Sequence, residues 1–411
     1  MEKLRQLVLP QRAAGYVALA LMLVVPWVDR PLASSLSLAY VWAVLAMSYN
    51  ILLGFTGIAS FGHALPFGVG AFLTAFLLNR GAPYLPTILT AGLAAGTAYM
   101  AVGLPAYRVK GIYYAILTLA VAEALRTTIE STARTTVAVT VGAIPELASL
   151  AGLYIYLAVF TLATVLASIS AVQNLRYTRR RRLKAAKGMS YALLIAGLVF
   201  TVYTALESSA GFLAGIGAGA PYVRILRFIY PLNVYLLSAL ALYLSYLAIK
   251  RLSQSPLGAT LVAIRENPTR ASVLGYNVFA HQLAAFFASG FFAGIAGSIY
   301  VASVPTVMTD VFATDKTFTA LTGTVLGGLG TLVGPVIGGI AVGVLRDYLS
   351  SISPALLLTL GVSLQQAQLL PSFILGAIYI AVVLALPYGI WGTWLLRGWK
   401  LKRRFEKLLE A

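Results

Sequence analysis

The sequence predicts an all-α fold: a polytopic transmembrane helical bundle in which residues 1–411 form a single transmembrane domain. Three observations carry this. Hydrophobic residues make up 60% of the chain and charged residues only 10%, against roughly 25% charged in an ordinary soluble domain. The mean hydropathy, +0.87, is too high for the apolar surface to be hidden in one aqueous core. The apolar residues are gathered into runs of about the 20 residues that a crossing helix needs, and basic clumps lie between them.

The runs lie at 13–28, 34–54, 58–79, 84–106, 111–129, 150–172, 189–207, 229–249, 278–302, 317–345 and 371–391. Lys and Arg cluster at 3–12, 108–110, 176–187, 250–251 and 397–407. Cytoplasmic flanks of membrane helices collect basic residues. Both termini and the loops near 108, 180 and 260 are therefore assigned to the cytoplasm, which requires an even number of crossings, about ten. Either one of the runs does not cross or a further crossing is hidden. The run at 13–28 follows a basic patch but ends at Asp29–Arg30, a poor cleavage context, and is read as an uncleaved first helix. The formal net charge of +18 belongs to this topology and not to nucleic acid, because no soluble basic and aromatic domain accompanies it. There is no cysteine, which excludes disulfides and thiolate metal sites. No catalytic, cofactor-binding or metal-ligating residue is assigned.

Two apolar regions are interrupted by glycine and proline. "TGIASFGHALPFGVGAF" runs from Thr56 to Phe72, and "GTVLGGLGTLVGPVIGGI" occupies 323–340 with Gly327, Gly328, Gly330 and Pro335. One lies in each half of the chain, which suggests two pseudo-repeat halves with a pathway between them. The second region is expected to be broken or re-entrant, since irregular backbone is tolerated at membrane depth only where protein or a cavity shields it. Ordinary close helix packing through small residues explains the same glycines. In a helix, Thr56, Ser60 and His63 share one face and Ala59, Gly62, Pro66 and Gly70 another. The polar stripe either lines a passage or bonds a neighbouring helix. Tyr114 and Thr118 stand one turn apart on the run at 111–129 and give that face mild polarity. Glu123 and Arg126 have the spacing of a local ion pair.

Residues 250–277, "KRLSQSPLGATLVAIRENPTRASVLGYN", carry helix punctuation. Ser255 is an N-cap before Pro256, and Leu257, Leu261 and Ile264 form one apolar stripe. Asn267–Pro268 repeats the start signal, and Gly275 suits a helix C-terminus. Ala271 and Leu274 give the second helix a small apolar face. Helices this short need a surface to rest on. The surface is either the membrane and the protein's own helices or a cytoplasmic partner, with Arg265, Glu266 and Arg270 at the joint. Residues 176–188 form a basic cytoplasmic loop, a topology anchor or an anionic-lipid contact.

Four blocks of this sequence resemble the LivM-type permease of branched-chain amino acid ABC transporters: "GFTGIASFGHALPFGVGAF" at 54–72, "YRVKGIYYAILTLAVAE" at 107–123, "SPLGATLVAIRENPTRASVLGYN" at 255–277 with "FAGIAGSIY" at 292–300, and "VLGGLGTLVGPVIGG" at 325–339. The resemblance covers most of the chain. It implies a multi-pass subunit of the cell membrane, paired with a related second permease as a heterodimer. Two cytoplasmic ABC ATPases would hold the ATP and magnesium, and an external binding protein would deliver the substrate. It also implies that residues 250–277 are the ATPase-coupling loop, with Ala263, Arg265, Glu266, Asn267, Arg270 and Gly275 in it. Thr56, Ser60, His63, Tyr114, Thr118, Gly327, Gly328 and Gly330 become candidates for the translocation pathway. Three departures stand out: "TTVAVTVGAIPEL" at 135–147 is degenerate, His281 stands where a basic residue often does, and 150–210 looks like an inserted helical hairpin around the basic loop.

The chain has no G-x-x-x-x-G-K-[ST] and no Gly–Lys pair, so ATP handling would fall to another protein. The competing reading is a stand-alone channel or proton-coupled carrier for small amides, urea or amino acids. That class needs intramembrane carboxylates, for which only Glu123, Asp310 and Asp347 qualify, all near predicted helix ends. A membrane scaffold without transport is a third reading.

Overall fold

The computed structural model describes residues 30–132 except Arg108 and Lys110, 139–140, 221–359 except Pro305, and isolated positions between 373 and 393. The run at 13–28, the insertion at 150–210 with its basic loop and most of 371–391 lie outside the described residues. The chain divides into two compact units, Met1–Ser34 with Ala143–Leu240, and Ser35–Gly142 with Ala241–Ala411. The described part of the first is essentially the N-terminal half of one long helix. The second holds everything discussed below.

The described residues are almost wholly helical. In chain order they form α1 (Arg30–Asn50), prolonged by a π turn at Ile51–Thr56, α2 (Ala64–Leu78), α3 (Tyr84–Gly103) and α4 (Ile112–Thr132). After the strand β1 (Val139–Thr140) come α5 (Pro221–Ser253), α6 (Pro256–Glu266), α7 (Pro268–Val273) and α8 (Val278–Ser303). The strand β2 (Thr306–Val307), α9 (Thr314–Gly327) and α10 (Gly334–Thr359) complete the order. β1 and β2 pair antiparallel, Val139 opposite Val307. Five of the helices are long and apolar enough to cross a membrane: Leu32–Thr56, Tyr84–Gly103, Ile112–Ser131, Tyr230–Ser253 and Val278–Ser303. Helix α2, with 15 residues, is shorter.

The centre of the larger unit is α8 packed on α2 and α3. Apolar burial gives helices little reason to associate in lipid, so close backbone approach has to do the work. Gly290 and Gly294 lie against Ala95 and Tyr99 of α3, Gly297 against Phe67 and Ala71 of α2, and Gly70 against Gly294. The other face of α3 shows Leu85, Leu89, Leu93 and Met100 outward, continued by Leu104 just after the helix, an apolar stripe of helical spacing suited to lipid. On the far side of α1, Ala39 and Ala43 lie against Gly343 and Gly339 of α10.

Several charges at the α8 C-terminal end are paired. Lys316 reaches Asp315 at 3.0 Å and Asp310 at 3.6 Å, and Arg346 reaches Asp315 at 2.9 Å. Arg126 bridges Glu123 at 3.2 Å and Glu130 at 3.0 Å, and Thr309 donates to Glu130 at 3.1 Å. The Ser35 hydroxyl donates to Asp347. With 26 residues in α8, this end lies about 39 Å from the loop that precedes the helix.

Candidate functional site: two helix breaks and the loop that reaches them

Sequence spacing puts Thr56, Ser60 and His63 on one helix face, and the structure corrects this. The helix ends at Thr56. Gly57 follows at φ 72°, a left-handed conformation that glycine adopts without penalty. Residues 57–63 are irregular, and α2 starts at Ala64. Pro66 falls in the first turn of α2, where its missing amide costs nothing. Glycine at one end and proline at the other therefore bound a break, not a kinked helix.

A break at membrane depth leaves backbone groups that must find partners inside the protein. Here they do. The Ile58 amide reaches Leu52 O at 3.2 Å and the Leu65 amide reaches Gly62 O at 3.1 Å. The Phe61 amide donates to Thr118 Oγ1 of α4 at 3.0 Å, and the Ala64 amide to Thr317 Oγ1 of α9 at 2.7 Å. Thr118 is thus the acceptor that holds the first break from outside. Tyr114, one turn earlier, donates its hydroxyl to Val102 O at 3.1 Å.

Ser60 and His63 are brought together by a residue the sequence did not single out. Tyr99 donates to Ser60 Oγ at 2.8 Å, and its oxygen lies 3.2 Å from His63 Nδ1. His63 Nε2 lies 2.8 Å from Ser48 Oγ, which is also 2.7 Å from Leu45 O. The single Ser48 proton serves one of those two acceptors, so the imidazole tautomer and the serine hydroxyl are set together. All four side chains are buried, and the His63 ring is flanked edge-on by Tyr49 and Tyr99. Thr56 is not part of this cluster. Its hydroxyl turns back on Leu52 O at 2.5 Å.

The run at 317–345 is likewise two helices, α9 and α10, separated by residues 328–333. Gly328 and Gly330 have φ of 124° and 73°. Gly327 packs on the Gly334 backbone, closing the α9–α10 hairpin. Thr331 supplies the local cap: its Oγ1 accepts from the Gly334 amide at 3.1 Å and donates to Gly328 O at 2.8 Å.

The two breaks meet at Asn50. Its Oδ1 accepts from the Gly330 amide at 2.9 Å, and its Nδ2 donates to Thr331 O at 2.8 Å. Both ends of one carboxamide are thus spent on the second break, from the last α-helical residue before the first. Nothing local in the sequence marks Asn50, apart from its being an amide in an apolar run, where such a group needs a partner.

The 250–277 loop folds as its punctuation indicates. Ser255 Oγ accepts from the Gly258 amide at 3.3 Å, Asn267 Oδ1 accepts from the Arg270 amide at 2.9 Å, and Gly275 has φ 90°. Leu261 and Ile264 are buried and α6 packs against the π turn at 51–56. The small apolar face expected on α7 is different. Ala271 is buried, but Leu274 is 70% and Val273 82% exposed. The short helix ends before Leu274, at Val273, so Leu274 is carried off the packed face. Ala263, Glu266, Asn267, Arg270 and Gly275 are exposed. Arg265 is exposed as well, yet its Nη1 donates to Gly54 O at 2.6 Å while Nη2 pairs with Glu266 at 2.8 Å.

The chain matches the family model described as branched-chain amino acid transport system / permease component, over residues 32–132 and 131–383. It belongs to that permease family. It is a helical membrane protein and a transporter rather than an enzyme. Among curated proteins, the permease is similar to the high-affinity branched-chain amino acid transport system permease protein LivM of Escherichia coli (strain K12), 26% identical over 353 residues, covering 84% of this chain and 71% of that protein. The corresponding LivM of Salmonella typhimurium is 24% identical over 347 residues, covering 83% and 69%. The guanosine ABC transporter permease protein NupQ of Bacillus subtilis is 28% identical over 105 residues, 26% of this chain and 33% of that one. No solved structure matches the permease.

Proposed function

We propose that this permease passes branched-chain or similar apolar amino acids across the cell membrane as one half of an ATP-driven importer. The observation that carries this reading is family membership over most of the chain, together with the substrate named for its two LivM relatives. A heterodimer with a second permease, two cytoplasmic ATPases binding ATP and magnesium, and an external binding protein complete the machine. About ten crossings in two halves, with both termini cytoplasmic, suit the distribution of basic residues.

Docking of the ATPases falls to the exposed residues of the 250–277 loop. Its tip presents Val273, Leu274 and Tyr276 as uncovered apolar side chains beside Glu266, Asn267 and Arg270. Apolar side chains ringed by charge are what a partner's groove recognises. Arg265, exposed as well, directs its Nη1 away from this surface onto Gly54 O.

The pathway candidates divide. Ser60, His63 and Thr118 hold the first break, and Gly327, Gly328 and Gly330 shape the second. Their contribution to passage is to fix two irregular segments next to each other. The stand-alone carrier is disfavoured because Glu123, Asp310 and Asp347 already pair with Arg126, Lys316 and Ser35. The deciding experiment reconstitutes the chain in liposomes, alone and with the second permease, ATPases and binding protein. Leucine uptake that requires ATP and every component supports the importer. Uptake by the chain alone, down a gradient or with protons, contradicts it.

A further inference from the structure

Arg265 and Asn50 make one connected path from the 250–277 loop to both helix breaks. The guanidinium of Arg265 leaves the end of α6 and bonds Gly54 O inside the π turn, 2.6 Å away. Its aliphatic stem runs over Gly57, where a Cβ would come within 2.8 Å of Arg265 Cγ. The same Nη1 lies 3.1 Å from where a Gly330 Cβ would stand. Gly57 and Gly330 both have left-handed φ, so the positions that admit the side chain are also the hinges of the two breaks. One turn back on α1, Asn50 holds the Gly330 amide and the Thr331 carbonyl. A Cβ on Gly54 would lie 2.9 Å from the Gly330 amide nitrogen, which shows how closely the two segments abut.

A π turn frees backbone carbonyls from the regular α ladder, and Gly54 O is one that an arginine can take. The bond is charge-assisted, hence stronger than a neutral one. Glu266 holds the other arm of the fork at 2.8 Å, so the guanidinium is oriented from the loop side and anchored on the break side.

We propose that Arg265 and Asn50 are positioning residues that carry movement of the 250–277 loop into both breaks: Arg265 pulls on the first through Gly54, and Asn50 passes the shift to the second through Gly330 and Thr331. The inference rests on the importer reading and adds a route to it. ATPase docking belongs to the exposed loop tip, while Arg265 and Asn50 make conformational change in the loop reach the membrane segments.

The test uses the complete transporter in liposomes and reads ATP hydrolysis, leucine uptake and ATPase co-purification together. Arg265→Ala co-purifies with the ATPases and hydrolyses ATP within about twofold of the parent, while leucine moved per ATP falls about tenfold. Arg265→Lys, which keeps one donor, recovers part of that ratio. Because the chain has no cysteine, Leu329→Cys places a single thiol on the exposed rim of the second break. Its alkylation rate in the parent changes at least about threefold between resting and ATP-trapped complexes, and Arg265→Ala or Asn50→Leu abolishes that response. An unchanged ratio of leucine to ATP in Arg265→Ala, or an unaltered Leu329→Cys response, overturns the linkage while leaving the importer standing. A variant complex that fails to assemble at all overturns it too, since Arg265 would then be serving docking or folding. A parent complex that never moves leucine with ATP overturns both.

Discussion

The two helix breaks are built differently although they abut. The first, residues 57–63, is held by side chains from α1, α3, α4 and α9: Ser48, Tyr99, Thr118 and Thr317 each bond a group within it or at its end. The second, residues 328–333, is held by its own Thr331 and by Asn50, and Leu329 within it is 48% exposed. Among the described residues, the first is bonded by side chains of four helices, and the second by one remote side chain, with Gly389 packed beside Gly328. Two adjoining irregular segments of similar glycine content thus differ in how many elements satisfy their backbone.

Three substitutions sharpen this contrast. His63→Leu has the largest effect. It removes one partner from each of the buried hydroxyls of Ser48 and Tyr99, which keep Leu45 O and Ser60. Each lost hydrogen bond costs about 0.5–1.5 kcal/mol, to which the lost packing between Tyr49 and Tyr99 adds. A marked fall in thermal unfolding temperature in detergent is expected, with loss of assembled protein; unaltered stability would mean the cluster is not an anchor. Asn50→Leu costs less, about 1 kcal/mol, because the residues whose groups it leaves, Gly330 and Thr331, are only half-buried. It is expected to impair uptake out of proportion to its stability loss, measured by transport and unfolding on the same preparation. Arg126→Gln, at the opposite end and partly solvated, changes stability by less than about 1 kcal/mol. A loss as large as that from His63→Leu would show that the ion pairs, and not the breaks, organise this unit.

Much of the fold is legible in the sequence. The runs at 84–106, 111–129 and 278–302 become α3, α4 and α8 with ends within a few residues, because their lengths and flanking polar groups leave little choice. The caps at Ser255 and Asn267 are readable for the same local reason. The first break is harder. Thr56, Ser60 and His63 happen to repeat at helical spacing, and nothing local says that Gly57 takes a left-handed φ. The polar cluster is half legible: His63 and Ser60 attract attention, but Ser48 and Tyr99 join them only through tertiary packing. Asn50 is invisible by itself, since its partners are 280 and 281 residues away. Arg265 reads as a solvated loop charge until the π turn offers it a carbonyl.

Driving the 250–277 loop is expected to move both breaks, the second, with fewer hydrogen-bonding anchors among the described residues, more than the first. Amide hydrogen exchange of the assembled transporter, compared between resting and ATP-trapped states, tests it most directly. The prediction is faster exchange at residues 328–333 in the trapped state, with a smaller change at residues 57–63. Equal change in the two segments, or a change confined to 57–63, would contradict it.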